Sequence, residues 1–426
     1  MSLPELPAYK IDWHALVLGL FLALSSAALL GLAAVLLLIT IGSSSTLDET
    51  MLITLLLFAG GLTLSAFLMI PGAYLNGRKF LNLPDIQVRL PAINPTGLST
   101  MMVVLWGSSL VLGQMVSAGP LAAILLPILN VVAIGFPILL FLRIALQKLE
   151  LPPARYGWSV FGMTLAVGPI IATLAEGVAM LIIILVVGIY ARQHRELADE
   201  LLRLAQAVQH TVSQDTLAAS AAPVLFSPIG IMAMIGLFSV AVPAIEEATK
   251  VAALWLFASR IKDPIQGFAL GVLCGAAFSL AENLGFSSSG AGDWATTAAL
   301  RASSALPHML NSGILGWSLV SAWKQHTYLK LGLGYVAVML IHGTWNAISM
   351  AIWLNSLLPY TQNAPAFLAN PTPFFFGWAV MIAGCLGGLV YNNLALRNRQ
   401  LSHLRYNEPL SDSTRGEFRG FPENPD

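Results

Sequence analysis

Windows of about 20 consecutive apolar residues recur along almost the whole chain, and each is enough to cross a hydrocarbon core of roughly 30 Å. Of its 426 residues, 57% are hydrophobic and only 10% are charged. A soluble domain is closer to 45–50% apolar and about 25% charged. The expected fold class is therefore all-α: a polytopic transmembrane helical bundle of about ten spans, with the lipid bilayer as its solvent. Formal net charge is zero, so no nucleic acid and no basic partner-binding face is indicated. Cys274 and Cys385 both lie in apolar stretches, which leaves no disulfide framework and no report on redox compartment.

The spans read as 15–42, 51–75, 98–117, 120–143, 158–191, 228–258, 264–286, 297–323, 331–353 and 372–395. The first is too long for a signal-peptide core of about 7–15 residues and reads as an uncleaved span. Arg78, Lys79 and Arg89 follow span two, and Lys148 and Arg155 follow span four. Arg260 and Lys262 follow span six, Lys324 and Lys330 span eight, and Arg397, Arg399 and Arg405 span ten. The alternate loops 43–50, 118–119, 287–296 and 354–371 contain no Lys or Arg. This bias predicts a multi-pass protein of the plasma membrane with both termini cytoplasmic. The exception is 192–227, placed outside by this count although it carries Arg192, Arg195 and Arg203. Breaks near Gly168-Pro169 and Pro243 leave open a re-entrant or doubled segment in 158–191 or 228–258. Within the loop, Leu197, Leu201, Leu204 and Val208 recur at helical spacing among charges, predicting an amphipathic helix over about 192–212.

Polar residues divide the chain. Residues 1–225 form an N-terminal transmembrane region of five spans plus the amphipathic helix, and in it only Glu176 stands as an acid alone in a span. Residues 226–396 hold the cluster, and 397–426 form a polar cytoplasmic tail expected to be disordered. Glu176 has no sequence neighbour of opposite sign and reads as a helix contact or the lining of a polar cavity.

The cluster comprises three carboxylates, an ammonium and two imidazoles, and one charge at mid-bilayer costs roughly 2.5–3.5 kcal/mol. Glu246, Glu247 and Lys250 occur in AIEEATK. On a helix Lys250 reaches either acid, and the spare carboxylate, held in low dielectric, is a candidate general base or acid. The bland alternative is a helix end whose charges snorkel to water. Glu282 and Asn283 close a span rich in Gly267, Gly271 and Gly275, where small residues let helices approach. Here the alternative is a carboxylate at the interfacial end of a span. His308 follows Pro307, and His342 and Asn346 sit four apart on one helix face. Taken singly, either histidine is a structural hydrogen-bonding group. Taken together, two histidines and a carboxylate make a catalytic zinc composition, with Glu282, His308 and His342 as the ligands. The same set suits a metal-free site in which a glutamate activates water and the histidines with Asn346 stabilise an oxyanion. HExxH is absent.

EEATK, GxxxGxxxGxxFSLAEN, RASSALPHMLNSG and LIHGTWN, in that order, resemble the PrsW-type intramembrane proteases, distant relatives of the CAAX-processing and bacteriocin-immunity membrane proteases. Glu246, Glu247 and Lys250 match the family's first element, and Phe278, Glu282 and Asn283 the second. Arg301 and His308 match the third, and His342 and Asn346 the fourth, over roughly residues 230–355. Asn346 stands where the best-known member carries Asp, and the five N-terminal spans have no counterpart in compact members. The resemblance implies a bacterial intramembrane endopeptidase, commonly classed as a metallopeptidase, that cuts a membrane protein substrate. The family's best-known role is cleavage of a membrane-anchored anti-sigma factor. The expected catalytic set is Glu246, Glu247, Lys250, Glu282, His308, His342 and Asn346, with Glu246 or Glu247 as base and Asn346 orienting His342 or donating to the oxyanion. The alternatives are a secondary transporter that uses the Glu/His/Lys cluster as a proton or cation pathway, and a non-catalytic scaffold. No internal repeat pairs the halves, which speaks against a transporter.

Overall fold

The computed structural model describes residues 11–84, 95–117, 121–210, 213–286, 293–362 and 364–407. Arg89, the loop 118–119, residues 287–292 of the following loop and the tail beyond 407 lie outside the described residues. All regular structure among the described residues is helical. In lipid a backbone N–H or C=O must find its partner within the segment, and a helix achieves this locally.

The helices follow the hydropathy closely. They are α1 (Trp13–Gly42), α2 (Glu49–Phe80), α3 (Pro95–Val116), α4 (Ala122–Leu146) and α5 (Ala154–Ala191). Asp12 and Asp48 cap α1 and α2 by accepting from the N–H groups of Ala15 and Met51. Two short helices follow, α6 (Arg195–Gln209) and α7 (Gln214–Leu225). The sixth span is a composite of α8 (Pro228–Met234), a π-helical turn (Ile235–Ala241), α9 (Val242–Lys250) and a 3₁₀ segment (Ala252–Phe257). The chain ends with α10 (Pro264–Phe286), α11 (Trp294–Gln325), α12 (Tyr328–Asn355) and α13 (Thr372–Asn407).

Among the described residues, nine of these segments are long and apolar enough to cross a membrane. Of the ten expected spans, the one outside this set is 297–323, which corresponds to α11. Its 32 residues, about 48 Å at 1.5 Å per residue, are long enough to cross. Its small and polar residues face protein instead of lipid: Ser304, His308, Asn311, Ser312, Ser318 and Ser321 are all buried.

Two open alternatives close, and one expectation needs revision. α5 is one continuous helix, so Pro169 removes a donor without dividing it. The span after 228 is also not doubled; it changes pitch and keeps one course. Finally, the segment 192–227 folds into two helices where one was expected. Ser213 caps α7 by accepting from the Thr216 N–H, and Leu197 and Val224 close the α6–α7 pair. α13 runs on through 397–407, where the sequence becomes polar.

The bundle is centred on α10 and α11. A Cβ on Gly271 would collide with the Ser312 carbonyl oxygen, and one on Gly275 with that of His308. The glycine repeat therefore brings the α11 backbone into contact with α10 at the level of His308. α2, α4, α5 and α13 pack around this pair through Met69, Ile138, Leu165 and Leu389. Outward-facing Leu174, Leu181 and Leu185 on α5 are exposed, as lipid contact requires.

Candidate active site

The four sequence elements converge. α9 begins directly after the π-helical turn with Pro243 in its first turn, a position that needs no N–H donor from it. α9 presents Glu246, Glu247 and Lys250 inward, and all three are buried. Lys250 Nζ lies 2.9 Å from Glu246 Oε2 and 2.9 Å from Glu247 Oε1. Its ammonium also sits 4.6 Å from the centre of the Phe278 ring, which accounts for the phenylalanine four residues before Glu282. The snorkelling alternative does not hold for this motif, because Lys250 and Glu247 are both 0% exposed.

Glu247 Oε1 is a point of convergence. It accepts from Lys250 Nζ at 2.9 Å, from His342 Nδ1 at 2.8 Å and, more weakly, from Asn311 Nδ2 at 3.5 Å. With an ammonium against it Glu247 is a carboxylate and has no proton to give, so His342 Nδ1 is the donor. His342 Nε2 is then the free lone pair, and it lies 3.8 Å from Glu246 Oε2.

α10 and α11 supply the other wall. His308 Nε2 lies 3.0 Å from Glu282 Oε2, and Arg301 Nη1 lies 3.4 Å from Glu282 Oε1. Asn283 does not point into this space. It donates to Ser279 Oγ at 2.8 Å and accepts from Ser304 Oγ at 3.1 Å, pinning α10 to α11. The rings of His308 and His342 meet edge to face with centroids 5.4 Å apart.

The donor atoms of Glu246, Glu282 and His308 all lie within 4.8 Å of one another. Ligands on a tetrahedral zinc ion at about 2.1 Å stand roughly 3.4 Å apart, so these groups need side-chain shifts on the order of 1 Å to share an ion. Two carboxylates and an imidazole are a fitting donor set. Of the expected ligands Glu282, His308 and His342, the first two belong to this group. Glu246 takes the third place, and His342 stands beside it.

Asn346 behaves differently from its spacing. Val242 N–H reaches back five residues to Leu237 C=O, the π-helical pattern. In that register Phe238 C=O would be met by residue 243, a proline with no N–H. Asn346 Nδ2 supplies the missing donor at 2.8 Å. The neighbouring Gly343 lets α12 approach so closely that a Cβ there would collide with the Ser239 carbonyl oxygen. Asn346 thus holds the turn that launches α9. Asn346→Asp, although it installs the residue of the family's best-known member, is expected to set a carboxylate against that carbonyl. It should cost about 1–3 kcal/mol, measured by thermal unfolding in detergent.

Three polar residues without an assigned site role in the sequence reading also reach the site. Asn311 follows His308 by three residues on α11 and bridges Glu247 to the Val338 carbonyl at 3.2 Å. Tyr335 Oη donates to Ala244 C=O at 2.6 Å, fixing the first turn of α9. Glu176 on α5 interacts electrostatically with Glu246, Glu282, Lys250 and His342. Asn311 and Tyr335 are polar groups in an apolar run, the same signal that marked the histidines.

No curated protein and no solved structure matches the chain. A family model does match, from within α6 to within α13, and it contains every residue of the cluster. Residues 204–384 match the PrsW family intramembrane metalloprotease model, so this part of the chain is similar to that family.

Proposed function

We propose that the protein is an intramembrane endopeptidase that hydrolyses peptide bonds of membrane-associated proteins at the α9–α12 site. The observation that carries this reading is the convergence of Glu246, Glu247, Lys250, Glu282, His308 and His342 inside a bundle otherwise built of apolar spans. Amide hydrolysis needs an activated water and charge stabilisation, and apolar helices supply neither.

Glu246, Glu282 and His308 would hold a zinc ion, which when bound supplies Lewis acidity and a water of lowered pKa. Glu247 acts as the orienter. By accepting from Nδ1–H it fixes the His342 ring and leaves Nε2 as the proton acceptor. In this scheme water oxygen bonds to the scissile carbonyl carbon as its proton passes to His342 Nε2. The C–N bond then breaks as the same proton is delivered to the departing amine nitrogen. Lys250 holds Glu246 and Glu247 in place, and Arg301 does the same for Glu282. The base role moves from the Glu246/Glu247 pair to His342, because Glu247 is already committed to three donors.

The substrate class is a single-span membrane protein, and a membrane-anchored regulator such as an anti-sigma factor suits it. Both termini are placed on the cytoplasmic side by the Lys/Arg bias of the loops, and the plasma membrane is the location that goes with the bacterial peptidase reading. The test is release of peptide from a tethered single-span substrate by the purified protein, with and without chelator. Release that stops with chelator and returns with Zn²⁺ is the expected outcome. Cargo-dependent proton flux in proteoliposomes without any peptide release would replace this reading with a transporter.

A further inference from the structure

Glu176 lies on α5, outside the segment that matches the family. Its neighbours Leu174, Val178 and Ile182 face outward. Its carboxyl nevertheless belongs electrically to the site, acting on Glu246, Glu282, Lys250 and His342. Its Oε1 is closed off from solvent and has no hydrogen-bond partner among the described residues. Lower on the same helix, Thr164 Oγ1 lies 3.4 Å from the Lys250 carbonyl oxygen, and a Cβ on Gly168 would sit 3.4 Å from the Phe278 ring. α5 therefore runs along α9 and α10 and carries Glu176 toward the acidic cluster they hold.

The charge balance of this cluster is uneven. Three carboxylates, from Glu246, Glu247 and Glu282, face two permanent cations, Lys250 and Arg301, and Glu176 adds a fourth acid to the group. Ionising more acids than there are cations within apolar walls is costly, and a divalent cation would offset that cost. His308 points the same way. It is 5% exposed, its Nε2 faces Glu282, and its buried Nδ1 has no partner among the described residues.

We propose that Glu176 is the fourth acidic group of the zinc site, contributed by the N-terminal region as an outer carboxylate. It stands apart from the three groups whose donor atoms share one small volume, so it acts on the ion through its charge and a hydrogen bond to ion-bound water. The inference rests on the zinc-peptidase reading and gives α5 a task within it: residues 204–384 alone do not complete the site.

The test uses the full chain, purified metal-free in detergent and titrated with Zn²⁺ against a competing chelator. Glu176→Gln is expected to weaken Zn²⁺ binding by about 10-fold or more, and Glu176→Asp to restore most of the loss. Glu176→Lys should abolish binding while leaving the metal-free protein at least as resistant to heat as the original. This last readout separates loss of the ion from loss of the fold. Zn²⁺ affinity in Glu176→Gln within about twofold of the original overturns the proposal, as does tight Zn²⁺ binding by Glu176→Lys. An original protein that takes up no Zn²⁺ overturns it too, yet chelator-resistant peptide release by the same preparation would leave the peptidase reading standing.

Discussion

Glu247→Ala is expected to abolish peptide release and to destabilise the fold by about 1–3 kcal/mol, the usual cost of leaving buried donors without their acceptor. Glu247 is 0% exposed, and one of its oxygens serves three donors on three helices. Removing it leaves the Lys250 ammonium, also 0% exposed, with Glu246 as its remaining carboxylate. Asn311 keeps its bond to the Val338 carbonyl and loses little. His342 loses the acceptor that sets its tautomer, and in comparable carboxylate–histidine pairs that loss alone lowers turnover on the order of 10⁴-fold. Glu246→Ala provides the contrast. Glu246 is 8% exposed, and without it Lys250 still pairs with Glu247 at 2.9 Å. Its loss should remove zinc and activity with a much smaller change in unfolding temperature. Equal unfolding temperatures for the two alanine variants would refute the anchoring role of Glu247.

The difference between these two adjacent acids shows what the sequence could and could not express. EEATK identifies a buried acid pair with one cation, and helical spacing lets Lys250 reach both. Which acid carries the spare capacity is decided by groups 64 and 95 residues away, Asn311 and His342. The same reasoning explains Glu176. It looked isolated because its electrostatic partners begin at Glu246, and no local pattern announces that α5 packs along α9. Asn346 is the sharper case. Its spacing of four from His342 is real, but its amide is drawn to Phe238 C=O because Pro243 leaves that carbonyl without a donor. Hydropathy marked the proline as a break and could not distinguish a π-helical turn from an α-helix, since IGLFSVA is equally apolar in either. By contrast, the glycine repeat at 267, 271 and 275 was legible outright. Close helix approach leaves a compositional trace, and α11 lies where that trace predicts. α7 was not legible, because QDTLAASAAPVL has no charged face and is held by packing against α6 and α8, with Val224 buried beside Leu197.

His342→Ala should reduce peptide release by about 10²–10⁴-fold, the range for a lost general base, and leave Zn²⁺ content unchanged. The donor atoms that share one small volume come from Glu246, Glu282 and His308, so the ion's ligands stay in place. The fold should also hold, because Lys250 still neutralises Glu247 at 2.9 Å. What is lost is the Nε2 lone pair, and what is left is a ring-sized space bordered by Glu247, by Glu246 and by the His308 ring. Free imidazole can occupy that space and accept from water as the side chain did, so added imidazole should recover at least about 10-fold of the lost rate. The recovery should be greater at a pH where more of the added imidazole is neutral. His308→Ala offers no such recovery, since its loss takes a ligand from the ion. If His342→Ala instead lost its zinc and imidazole returned none of the activity, His342 would be a ligand and the proton would have to leave water by way of Glu246.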